Sequence, residues 1–157
     1  MASRGEGLGR VFNVIYSASG LDVPLTRATA VSFVSFLDAG TQALTFTQTD
    51  SRGVNSEIDL EIFTDSDTGL PTSGVSRIHA GPAVGGTWVV KTTTDTNVYD
   101  NTTDATNDTV VITVRAEQLA DGYDQVQCTA ATGTCVAILH DLVVQRKPAN
   151  LRSSLVA

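Results

Sequence analysis

Histidine occurs twice, cysteine twice, and tryptophan and methionine once each in these 157 residues. Two histidines, His79 and His140, cannot furnish a multi-histidine metal centre within one chain. Charge is sparse too: Asp, Glu, Lys and Arg make up 17% of the chain, against about 25% in an average soluble domain. The ten basic residues are scattered, apart from Arg4 and Arg10 near the start and Arg146, Lys147 and Arg152 near the end. With a formal charge of −7, that scatter argues against nucleic acid, because phosphate binding needs clustered cations that release counterions. No run approaches the roughly eighteen apolar residues of a membrane span. Residues 1–10 lack the apolar core of a signal peptide, so synthesis and retention in the cytosol are expected. There is no Gly-x-Ser-x-Gly elbow, phosphate-cradling glycine loop or His-Glu-x-x-His motif, so neither an enzyme nor a cofactor is expected.

What the chain does contain is strand-forming sequence. At this length one domain is expected, burying roughly two-thirds of its unfolded surface. Residues 11–17 open as a strand, and 20–24 form a turn into a short second segment. In the next strand, residues 30–37, Val31, Phe33 and Ser35 share one face, and Ser32, Val34 and Phe36 the other. Apolar residues on both faces suit an inner strand of a sandwich or a strand covered by a partner. Residues 43–48 alternate with Leu44 and Phe46 inward, and 57–63 with Ile58, Leu60 and Ile62 inward and three acids outward. Residues 87–92 and 109–115 make further strands, 93–108 reads as a long exposed loop, and 116–120 is a helical turn stopped by Asp121 and Gly122. The last two strands, to either side of residues 130–134, read as a β-hairpin. About eight strands with closely spaced turns predict an antiparallel β-sandwich of jelly-roll type over residues 11–146, with flexible arms at 1–10 and 147–157.

Four features bear on chemistry. Asp65, Asp67 and Gly69 resemble the start of a calcium loop, but the twelfth position is Ser76 rather than a bidentate glutamate, so a plain Asp-rich turn is expected. The same discount applies to Asp95, Asp100, Asp104 and Asp108. His140 adjoins Asp141, yet neighbouring strand residues point to opposite faces, so a hydrogen-bonded or interface histidine is expected rather than a catalytic dyad. Cys128 and Cys135 lie seven apart around the final turn. A turn on Ala131-Thr132 sets them opposite each other for a disulfide worth about 2 to 3 kcal/mol, whereas a turn on Thr132-Gly133 offsets them and leaves free, partly buried thiols. Trp88 is a core or interface aromatic, or, with Tyr99 and Tyr123, a stacking platform of a carbohydrate- or receptor-binding module.

The run Leu139-His140-Asp141-Leu142-Val143-Val144-Gln145-Arg146-Lys147-Pro148-Ala149-Asn150-Leu151, preceded by Leu119-Ala120-Asp121-Gly122-Tyr123-Asp124, resembles small head proteins of tailed bacteriophages, especially those of actinobacteria. These are capsid decoration, cement or minor head proteins. The likeness extends more loosely to Gly20-Leu21-Asp22-Val23 and Ala30-Val31-Ser32-Phe33-Val34, and leaves out residues 50–108. It implies a virion protein that binds the outer surface of an assembled shell. Its partner would be the major capsid protein, and it would dock as a homotrimer at local threefold positions; a head-to-tail connector is the variant within this class. In that setting Arg146, Lys147 and Arg152 are expected to meet acidic capsid residues, Pro148 to fix the exit direction of the arm, and Leu151 to anchor it.

Overall fold

The computed structural model describes residues 13–15, 18–36, 43–63, 75–82, 86–91, 93, 95–100 and 109–142. Strict alternation builds the long strands. Along β3 (Ala28–Phe36), Val31, Phe33 and Ser35 are buried, Ser32 and Val34 are half-buried, and Phe36 is exposed. Along β4 (Ala43–Thr49), Leu44, Phe46 and Gln48 are buried between half-buried neighbours. The remaining strands are β1 (Asn13–Ile15), β2 (Asp22–Pro24), β5 (Ile58–Asp59), β6 (Ile78–Gly81), β7 (Val89–Lys91), β8 (Val98–Asp100), β9 (Thr109–Arg115), β10 (Gln125–Ala130) and β11 (Thr134–Leu142).

Among the described residues these strands form two antiparallel sheets, the all-β sandwich that the alternation predicts. The front sheet has six strands in the order β1-β11-β3-β9-β6-β7, and the back sheet has the order β2-β10-β4-β5, with β8 also pairing β4. Between them lies a core in which Phe33 of the front sheet meets Phe46 of the back sheet edge to face, ring centroids 5.6 Å apart. Phe63 also makes an edge-to-face contact with Phe46, at 5.8 Å.

Two expectations are corrected. Residues 125–142 are not a hairpin: β10 pairs β2 and β4, whereas β11 pairs β1 and β3. The connection at 131–133 is an arch that carries the chain from one sheet to the other. Alternation along each arm is the same in both arrangements; the arch is favoured because the inward residues Val126 and Cys128 then face Cys135, Ala137 and Leu139 across the core. The second correction concerns residues 57–63. Only Ile58–Asp59 is a strand, and Ile58 is 43% exposed rather than inward. Past the strand Leu60 still donates to the Phe46 carbonyl opposite it, and only then does the backbone turn to Thr96, whose carbonyl accepts from both Ile62 and Phe63 as Leu60, Ile62 and Phe63 sink into the core.

Smaller differences have equally local causes. The 93–108 segment contains β8, which buries Tyr99 to 3% exposure against β4. The helical turn is a 3-10 turn (Ala116–Gln118), and Gly122 follows at φ 90°, a left-handed conformation that favours glycine. The arms at 1–10 and 147–157, and the Asp65–Gly69 loop with Asp104 and Asp108, lie outside the described residues.

Candidate functional site

Inward positions of the front sheet are fixed by the core, so the alternate positions form its outer face. Register places Val136, Val34, Val111, His79 and Val90 side by side in one row across β11, β3, β9, β6 and β7. At the usual spacing of strands the row is about 19 Å long. A flanking row holds Val14, Ile138, Ser32 and Thr113. On the other flank Phe36 stands opposite Thr109, which stands opposite Gly81. Trp88 lies over Gly81: a Cβ added there would meet the indole Cδ2 at 2.7 Å. Val14, Phe36, Trp88 and Val90 are 41%, 46%, 49% and 59% exposed, so this is an apolar sheet face open to solvent.

One end of the face is polar. Ser32 Oγ lies 2.8 Å from Thr113 Oγ1 and 3.0 Å from His140 Nε2, linking β3, β9 and β11. His140 is thus the hydrogen-bonded histidine its sequence position suggests. Arg115 donates to Glu117 at 2.8 Å. Between β9 and β6 a hollow of about 190 Å³ is lined by Ser76, Arg77, His79, Thr113 and Arg115. Both histidines of the chain therefore stand on this one face, which register alone reveals, since they are sixty-one residues apart in sequence.

A serine hydroxyl beside an imidazole nitrogen has the spacing of a nucleophile and its base. Here, however, Ser32 sits mid-strand with a paired neighbour on either side, so the surrounding backbone amides are committed to the ladders and cannot converge on an oxyanion.

Two further clusters lie away from this face. Asp50, whose side chain is fully buried, accepts from Arg52 Nε at 3.0 Å, Arg52 N at 2.9 Å and Asn55 Nδ2 at 3.2 Å. The Arg52 hydrogen bonds, more than any other contact, hold its carboxyl down at about 2. Arg52 and Asn55 also donate to the Gly122 carbonyl, each at 3.2 Å, and Ser51 donates to Asp124. Residues 122–124 are in this way locked to the 50–55 loop. Asp50 escaped the sequence reading, although Asp-Ser-Arg-Gly is turn-forming sequence that suits a carboxylate capping its own loop. The second cluster is Cys128 with Cys135, both free and buried.

The sequence-predicted contact residues Arg146, Lys147, Pro148, Leu151 and Arg152 lie outside the described residues. The three aromatics of the stacking alternative are not brought together: Trp88 is on the front face, Tyr99 is buried under the back sheet, and Tyr123 donates its hydroxyl to the Ser56 carbonyl at 3.0 Å. Among the described residues no three His, Cys, Asp or Glu side chains gather as a metal site, and no helix is long and apolar enough to cross a membrane. No family model, curated protein or solved structure matches the chain.

Proposed function

We propose that the protein works by docking, with the outer face of its front sheet laid against a larger protein assembly, and that this assembly is the capsid shell of a tailed phage. The observation that carries the docking part is the row Val136, Val34, Val111, His79 and Val90, flanked by exposed Val14, Phe36 and Trp88. Removing apolar surface from water is worth roughly 25 cal/mol per Å², so a partner gains by covering what remains open on such a face. The polar end adds direction. In a chain of net charge −7, Arg77 and the Glu117-paired Arg115 stand at this end with the hydrogen-bonding side chains of Ser32, Thr113 and His140, so a partner finds polar groups gathered on one side of the apolar row.

The capsid part rests on the resemblance of residues 119–124 and 139–151 to decoration and cement proteins of phage heads. On that reading the protein belongs to the virion and binds the major capsid protein. It acts as a homotrimer whose tied subunits gain avidity on a repeating lattice, with Arg146, Lys147, Pro148, Leu151 and Arg152 as a second contact. The jelly-roll form of the sandwich belongs to the same proposal.

Co-sedimentation of the purified protein with shells of its phage tests the function. The expected result is saturable binding, lost in Val34→Glu and Val111→Glu and weakened by deletion of residues 146–157. Absence of binding by the wild-type chain, or full binding by both glutamate variants, counts against it. Calcium-dependent binding to a glycan array would instead favour a carbohydrate-recognition module built around Trp88.

A further inference from the structure

We infer that Cys128 and Cys135 are a disulfide-forming site, at which a small aliphatic disulfide such as oxidised glutathione converts the two thiols into a covalent staple between the front and back sheets. Cys128 sits opposite Phe46 in the back sheet, and Cys135 opposite Ser35 in the front sheet. Both are fully buried, so their side chains point into the same interior from opposite walls, at the end where the arch brings those walls together. The backbone at the two positions is also fixed by one short segment. The Ala18 amide donates to the Cys135 carbonyl at 2.7 Å, and the Gly20 amide, two residues on, donates to the Cys128 carbonyl at 2.9 Å. That segment spans both sheets and clamps both cysteines at once. A cross-link between opposed, inward strand positions is the way sandwich domains of the antibody type join their sheets.

Each thiol is the main influence on the other's acidity. Their roles follow from that influence. Interaction with Cys128 lowers the Cys135 thiol and favours it as the attacking thiolate, while interaction with Cys135, together with burial, pushes the Cys128 thiol well up. The Cys135 thiolate attacks one sulfur of oxidised glutathione, forming a mixed disulfide and expelling a glutathione thiolate that takes up the proton Cys135 lost. Cys128 then gives up its proton and attacks the Cys135 sulfur, expelling the second glutathione. The protein loses two electrons and two protons, and one glutathione disulfide becomes two thiols. Residues 131–133 of the arch are exposed, and the Ala131 amide is held by the Ala43 carbonyl at 2.9 Å, so the reagent reaches the pair while the chain is folding or locally open.

This inference is independent of the docking proposal and is tested on the isolated protein. The full chain is refolded from denaturant in a buffer dominated by oxidised glutathione, so that access is not limiting, and compared with chain refolded under reductant. Expected are an intact mass lower by two hydrogen atoms, no thiol titratable in denaturant, and a melting temperature higher by roughly 5 to 10 °C. Cys128→Ala and Cys135→Ala should each end with a glutathione adduct and no such rise; should either fail to fold, the oxidised and reduced wild-type chains still decide the matter. Two persistent thiols, two glutathione adducts, or a lower melting temperature in the oxidised chain would overturn the inference.

Discussion

Phe33 and Phe46 come from different sheets and meet with their rings at 72°, so the edge of one ring is directed at the face of the other in the centre of the sandwich. Phe46 has a second such contact with Phe63, which reaches the core only because the backbone abandons the β5 ladder. Phe46→Ala should therefore cost about 3 to 5 kcal/mol, the range for emptying a buried aromatic site. Urea unfolding measures it, and a loss below about 1 kcal/mol would mean that the sheets are not held together here.

The Asp50 carboxyl predicts a pH dependence. Its folded-state value of about 2 lies below the ordinary 3.8, so the unfolded chain takes up the proton first as acid is added. The stability this group contributes is fully present above about pH 4 and is lost as the pH falls toward about 2. Asp50→Asn should be less stable than wild type at neutral pH, and the gap should narrow across that window in denaturant titrations. A gap independent of pH would assign the effect to packing rather than charge.

Gly81 and Trp88 give an optical test of the face. The Cβ of Gly81→Ala would collide with the indole, and Trp88 is the only tryptophan. Its emission should shift to longer wavelength as the ring is lifted off β6, with the far-ultraviolet circular dichroism of the fold kept. Unchanged emission would mean that the indole does not rest on Gly81.

Ser32 should be chemically quiet despite its 3.0 Å contact with His140. A fluorophosphonate probe, which reports an activated serine, is expected to leave the chain unlabelled, and Ser32→Ala to cost about 1 kcal/mol or less for the hydrogen bonds lost. Labelling at Ser32 would contradict a role confined to binding.

Much of the sandwich was legible residue by residue. Alternation fixes the bounds of Thr109–Arg115 and the inward set Leu44 and Phe46, because a half-buried strand records its two environments in its sequence. The mixed faces of β3 also carried meaning: apolar residues on both faces suggested an inner strand of a sandwich or one covered by a partner, and β3 is an inner strand, between β11 and β9. Pairing was not legible. An arch and a hairpin have the same alternation, so the placement of Cys128 and Cys135 in opposite sheets depends on long-range partners, as does the meeting of His79 and His140 on one face. Ile58 misled because strict alternation continues through Leu60 and Ile62 while the ladder stops at Asp59.

Density imaging of phage shells decorated with the protein tests the central claim most directly, since it shows both whether the chain docks and which surface it uses. The account predicts ordered occupancy at a repeated lattice position with Val34, Val111, Val136 and Trp88 turned toward the shell. Undecorated shells, or decorated ones in which the front sheet faces solvent, would contradict it.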